Sequence, residues 1–339
     1  MAPSSSLLER GRTSFAQRRW REAYDLLSAA DSETPLDISD LERRGQSAFL
    51  AGLDAESGEL LVRGHQTCLA AGNRPRAARA AFFLAFSLLS RGDSAQAGGW
   101  LARARRILDE EPADCVERGY VLVPEALRII GEGDIARAER VLAEAAAIGE
   151  RFGEADLVNL ARQGRGRALI RLGDVERGVA MLDEVMVAVT AGEVSPIIAG
   201  VVYCSVISAC LDIFDLRRAH EWTEALNHWC AAQPDLVPYR GLCMVHRAEI
   251  LQRHGVWNDA MVQAQEAHGR LVAAGAPAAG AALYQIAEVH RLRGEFEKAD
   301  EMYRLAGDAG HTPHPGLALL RCAQGRRDAA KAAICRMMD

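Results

Sequence analysis

Apolar and small residues along this chain return at helical spacing, and the helical pattern itself returns about every forty residues. In "HRLRGEFEKADEMYRLA" (His290–Ala306), the uncharged marks are Gly294, Phe296, Ala299, Tyr303 and Ala306. The same marks fall on Gly255, Trp257, Ala260, Ala264 and Ala267, and on Phe214, Leu216, Ala219, Thr223 and Leu226. They continue through Gly173, Val175, Gly178, Leu182 and Val185, then Gly133, Ile135, Ala138, Leu142 and Ala145, then Gly92, Ala97, Leu101 and Ala104. At the ends, Trp20, Ala23, Leu27 and Ala30 fit with Arg18 in the glycine slot, and Gly325, Ala330, Ile334 and Met337 fit as well. The leading marks lie at 18, 52, 92, 133, 173, 214, 255, 294 and 325, a spacing too regular for chance.

Each mark has a physical role in a helical hairpin. The glycine takes the left-handed conformation that ends one helix and lets the chain reverse. The small residue five positions later lets two helices approach closely, and the remaining marks share one face of the second helix. The pattern predicts an all-α fold of about nine hairpins in a single array over 1–339, with units near 5–30, 38–71, 75–110, 113–152, 154–191, 195–231, 235–274, 276–309 and 314–338. Pro75, Pro112, Pro196, Pro238, Pro277 and Pro315 fall at or near predicted first turns, where a missing N–H costs nothing. The runs "VMVAVTAG" and "IIAGVVYCSVIS" are β-prone alone, but their place in the register predicts helix.

Composition narrows the function classes. The chain has 339 residues, 49% of them hydrophobic, and a net charge of −6. Nearly all positive charge is Arg, since Lys298 and Lys331 are the only lysines. An acidic chain of this kind is not built mainly to hold nucleic acid. Eight cysteines form no Cys-x-x-Cys pair and no zinc-like spacing, which suits small buried hydrophobes in a reducing compartment. No basic-then-apolar leader and no run of about 18 apolar residues is present, so the expectation is a soluble cytoplasmic protein without membrane contact.

No nucleophile elbow, Walker loop, dinucleotide glycine pattern or His-Glu-x-x-His occurs, so no catalytic residue, metal ligand or cofactor is expected. "GRGRALIRLG" lies inside a first helix with no strand leading into it, and "HTPH" (His311, His314) reads as a link between units. Trp222 and Trp229, seven apart, read as a core stripe.

The marks resemble the tetratricopeptide repeat: a small residue at position 8, Gly at 15, an aromatic residue at 17, Ala at 20 and 27, and Pro near 32. Most units run near 40 residues, as HEAT-type repeats do, yet the Gly-to-Ala spacing favours the tetratricopeptide pattern. The resemblance implies a right-handed α-α superhelix whose first helices line a concave groove. Its groove-facing positions, 2, 5, 9, 12 and 13, then include Gln163, Arg167 and Arg171, Ser208 and Asp212, Glu249 and Arg253, and Tyr284, Glu288 and Arg291. These ten candidates form a mixed-sign polar face; the alternative is a solvated surface with internal ion pairs. The equivalent positions of the Gly92 unit are apolar: Phe82, Phe86 and Leu89. Arg44, Arg165 and Arg247 occupy position 7, normally an apolar slot, where the register is hardest to assign.

The phrases "DCVERGYVLVPEAL", "TAGEVSPIIAGVVYCSVISAC" and "QPDLVPYRGLCMVHRAEILQRHG" are similar to the repeat region of actinobacterial LuxR-type and MalT-like transcriptional regulators. That resemblance implies a sensor or interaction platform for a protein segment or small effector, here without a DNA-binding domain and not binding nucleic acid by itself. An uncapped last repeat would also allow pairing of two copies. The alternative is a stand-alone adaptor unrelated to transcription.

Overall fold

The computed structural model describes residues 3–233, 235–273, 275–276 and 278–338, and the described residues form eighteen α-helices and no strand. Along the chain they follow as nine helix–turn–helix pairs: α1 (Pro3–Ala16) with α2 (Trp20–Glu33), α3 (Ile38–Leu50) with α4 (Asp54–Ala70), α5 (Arg74–Ser90) with α6 (Ser94–Asp109). Next come α7 (Glu117–Gly131) with α8 (Ile135–Phe152), α9 (Ala155–Arg171) with α10 (Val175–Thr190), and α11 (Pro196–Asp212) with α12 (Leu216–Ala231). The last three are α13 (Arg240–Arg253) with α14 (Trp257–Ala273), α15 (Ala279–Leu292) with α16 (Phe296–Asp308), and α17 (Gly316–Ala323) with α18 (Arg327–Met338). Both β-prone runs are helical, the first in α10 as far as Thr190, before its Ala191–Gly192 turn, and the second within α11.

The nine turns share one device. Every leading mark has positive φ, including Arg18 and Phe214, both at 58°, where a side chain stands in the glycine slot. The following N–H closes back five residues, as in Asp93 to the Leu88 carbonyl at 2.9 Å and Asp215 to the Cys210 carbonyl at 2.9 Å. Asp134 and Asp215 then cap the second helix by accepting from the N–H groups of Arg137 (3.0 Å) and Arg218 (3.1 Å).

Small residues fill most of the positions where paired helices approach, with Ile207 the exception at position 8 of the unit of Phe214. Position 8 is buried in all nine, from Gly11 and Gly45 to Ala287 and Ala318, and position 20 is likewise buried from Ala23 to Ala330. At Gly166 and Gly178 the backbones approach so closely that a β-carbon on Gly178 would sit 2.7 Å from the Gly166 carbonyl. The position-7 arginines fit this register. Arg44 pairs with Asp31 and lies over Tyr24, Arg165 donates to Glu139 at 2.6 Å, and Arg247 faces solvent. Pro112 departs from its expected place, in the link before α7 rather than in a first turn, because that helix begins only at Glu117. Pro277 and the Met337 side chain lie outside the described residues.

The chain divides into two compact units. Unit 1 is Met1–Ala209 with His228–Pro238, and unit 2 is Cys210–Asn227 with Tyr239–Asp339. Within unit 1, the segment after α12 returns to the first two hairpins. Trp20 Nε1 donates to Gln233 Oε1 at 3.2 Å, and the Val237 N–H donates to the Leu50 carbonyl at 2.9 Å. Gln233 and Leu236 are almost fully buried there, and a β-carbon on Gly52 would meet Val237 at 2.7 Å.

Candidate functional site

Unit 1 contains a cavity of about 140 Å³ whose walls are mostly first-helix side chains. Helix α3 contributes Glu42, Gln46 and Phe49, α5 contributes Arg79, Phe83 and Phe86, and α7 contributes Tyr120. Arg79 and Tyr120 both occupy position 2 of their units, and Gln46 and Phe86 both occupy position 9, so the repeat register itself brings them to one face. Glu154 and Asp156, at the start of α9, and Ser195, just before α11, complete the polar side.

The polar groups form a connected network. Arg79 donates from Nε to Glu117 Oε1 at 3.0 Å and from Nη2 to Glu154 Oε2 at 3.5 Å, while its guanidinium lies 5.2 Å above the Tyr120 ring. The Tyr120 hydroxyl donates to Glu154 Oε1 at 2.9 Å. The Ser195 N–H donates to Asp156 Oδ1 at 2.7 Å. Burial works against the charge of Arg79, but Glu117 and Glu154 outweigh it and hold the guanidinium protonated. Burial, then Glu154, pushes the Tyr120 hydroxyl up, so it stays a donor. Burial also pushes the Asp156 carboxyl up, against the pull of its bonds to Ser195. Glu42 has a separate partner, Arg76, at 2.6 Å.

None of the ten sequence candidates lines this cavity. In unit 1, Ser205 Oγ donates to Gln163 Oε1 at 2.6 Å and accepts from Arg167 Nη1 at 3.1 Å, joining α9 to α11. Ser208 is half-buried and Arg171 is exposed. In unit 2, Asp212 is exposed, whereas Arg253 pairs with Glu249, donates to the Leu211 carbonyl at 3.2 Å and lies 4.9 Å over the Phe214 ring. Burial raises the Glu249 carboxyl despite that arginine.

The last three candidates form a tighter cluster. Glu288 is buried and accepts from Arg291 Nη2 at 2.6 Å and from the Tyr303 hydroxyl. Hydrogen bonding to Glu288 holds the Arg291 charge, and burial pushes the Tyr284 hydroxyl up to about 12. Tyr284 Oη accepts from the Gly316 N–H at 3.1 Å, tying α17 to α15. Four of the ten, Gln163, Arg167, Arg253 and Tyr284, thus join neighbouring first helices. The sequence passes over Arg79, Tyr120, Glu154 and Asp156, although Phe86 at position 9 carried the signal for that wall.

Elsewhere, His311 packs against Tyr284 with ring centroids 5.2 Å apart. Trp222 is half-buried, and Trp229 packs on Tyr203 at 5.8 Å. Among the described residues no group of His, Cys, Asp and Glu is arranged to hold a metal ion, and no helix is long and apolar enough to cross a membrane.

No protein-family model matches the sequence, and no curated protein matches it. Among solved structures, the chain is similar to a Rap protein complexed with competence and sporulation factor, with a TM-score of 0.65 at 11% identity over 99% of this chain and 96% of that one. The fold is a tetratricopeptide-like helical repeat. Two further similar structures have shorter or looser overlap with these repeats. One holds kinesin-light-chain-like repeats from Podospora anserina, with a TM-score of 0.45 at 18% identity over 58% of this chain and 97% of that one. The other is a signal-transduction ATPase with numerous domains and a tetratricopeptide-repeat sensor, from Pyrococcus horikoshii. It has a TM-score of 0.47 at 14% identity over 90% of this chain and 47% of that one.

Proposed function

We propose that this protein is a non-catalytic tetratricopeptide-like scaffold that binds a protein segment or small effector on its first-helix face. The observation that carries the reading is the unit 1 cavity, which combines aromatic walls with a few convergent polar groups, the usual make-up of a ligand site. The Rap protein, similar in fold over nearly its whole length, is itself complexed with a factor, which supports binding as the use of this architecture. Within unit 1, Gln163, Arg167, Arg171 and Ser208, and separately within unit 2, Asp212, Glu249, Arg253, Tyr284, Glu288 and Arg291, are proposed as accessory recognition residues. Of these, exposed Arg171 and Asp212 are the ones free to meet a partner without first breaking a buried contact.

A finer reading is that the scaffold serves as the sensor part of a LuxR-type transcriptional regulator. It rests on the sequence phrases similar to that group, and a gene whose reading frame joins these repeats to a helix-turn-helix domain would support it. The binding reading is tested with Ala80→Met, which adds a side chain to the cavity wall. Immobilised wild-type protein is expected to retain peptides or small molecules, identified by mass spectrometry, that the folded variant loses. Equal retention by both proteins removes the cavity as the site.

A further inference from the structure

We infer that the unit 1 cavity takes a primary ammonium group joined to one apolar group about the size of a benzene ring. The inference rests on the reading of this cavity as a binding site and specifies its ligand. Size comes first. A space of about 140 Å³ is close to the roughly 150 Å³ of an apolar cavity that accepts benzene. Phe49, Phe83, Phe86 and Tyr120 supply the apolar and π surface for such a ring.

Charge decides the other half of the ligand. Glu42 is matched by Arg76, but Arg79 is shared between Glu117 and Glu154. Among the described residues no cation stands within ion-pair distance of Asp156, which is held by the Ser195 N–H and side chain and feels Arg79 only from further off. Two carboxylates, Glu117 and Glu154, therefore share one guanidinium, and Asp156 stands beside them in a partly buried space without an ion pair of its own. The upward displacement of the Asp156 carboxyl has the same origin, burial of a charge with too little compensation. A carboxylate or phosphate ligand would add to the excess negative charge. A neutral ligand would exclude water from Asp156 and replace it with nothing. An ammonium brings three donors and a positive charge, and it is also attracted to the faces of the lining rings.

That chemistry occurs at the free N-terminus of a peptide beginning with an aromatic residue, and in a small aromatic monoamine. Calorimetry on the full chain near pH 7.5 distinguishes them with four probes: Phe-Ala-Ala amide, its N-acetylated form, phenethylamine and 2-phenylethanol. At least one amine is expected to bind, and acetylation or replacement of the amine by hydroxyl is expected to weaken its binding at least about tenfold. Binding of both amines means that ring and ammonium suffice, and binding of the peptide alone identifies an N-terminus.

Asp156→Asn, which keeps an acceptor for the Ser195 N–H, is expected to weaken amine binding by a similar factor, with folding checked by circular dichroism. The comparison among probes needs no variant, so it stands even if this one does not fold. Equal binding of the acetylated peptide or the alcohol overturns the ammonium assignment while leaving the cavity as a binding site. Failure of all four probes also overturns the assignment, and the Ala80→Met retention experiment then decides separately whether the cavity binds anything.

Discussion

His246 should make unit 2 acid-labile, and the size of the effect follows from its surroundings. It lies on α13, is buried, and its Nε2 has no hydrogen-bond partner among the described residues. Burial alone pushes its pKa down from 6.5 to about 4. A folded state that refuses a proton accepted by the unfolded chain has its full stability above about pH 6.5. It loses that stability as the pH falls toward 4. At about 1.4 kcal/mol per pH unit, the loss reaches about 2.5 kcal/mol near pH 4.5. Glu249, raised by burial, acts in the opposite direction, and His311, lowered by burial, acts in the same one.

A comparison with His246→Leu therefore isolates the imidazole, since the replacement is similar in volume and cannot titrate. Unfolding of a repeat array need not be two-state, so the suitable assay is hydrogen exchange by mass spectrometry across α13, corrected for intrinsic rates, at pH 7 and pH 4.5. Wild type is expected to lose about 2.5 kcal/mol more opening free energy than the variant over that interval. Equal losses would falsify the reasoning, because the buried imidazole would then be accepting its proton without opening.

Three further substitutions test other parts of the fold. In Gly316→Ala the new carbon would lie 2.1 Å from Glu288 Oε1 and 2.4 Å from the Tyr303 hydroxyl. It should release α17 and α18, with a cost of about 3 kcal/mol read as lost exchange protection there. Arg18→Gly relieves a side chain at φ 58° and should stabilise the first hairpin by up to about 1 kcal/mol, measured as a higher melting temperature. Asp31→Ala leaves Arg44 and Arg63 without their shared carboxylate. A loss of about 2 kcal/mol is expected, below the fully buried case because Arg63 is partly solvated, and urea titration measures it.

The fold was legible because a hairpin repeat states its geometry locally. A turn at Gly133 and close helix contact at Ala126 and Ala138 need only residues a few positions apart, and nine repetitions of that grammar outweigh Arg18 and Phe214 in glycine slots. The same logic explains why Val-rich α10 is helical: packing of Leu182, Val185 and Met186 overrides intrinsic preference.

The cavity was less legible. Position numbers say that Arg79, Phe86 and Tyr120 share a face, but not that Glu154 and Asp156 from the start of α9 come to stand beside them. That meeting depends on how successive hairpins pack, which no single repeat encodes. Conversely, Glu288 and Glu249 look like groove charges in sequence but spend their hydrogen bonds on Arg291, Tyr303 and Arg253.

The link from Gln233 to Val237 changes how the first hairpins come to be folded. Stacked repeats ordinarily depend only on their neighbours, so the N-terminal ones can settle as soon as they are made. Here Trp20 finds its indole partner 213 residues later in the chain. At ordinary synthesis rates that is a wait of roughly 10–40 s, during which the Trp20 N–H and the surfaces around Leu50 lack their final cover. Once closed, the contact makes fraying of the first hairpin depend on release of a distant segment, so the beginning of unit 1 should open together with residues 228–238 rather than alone.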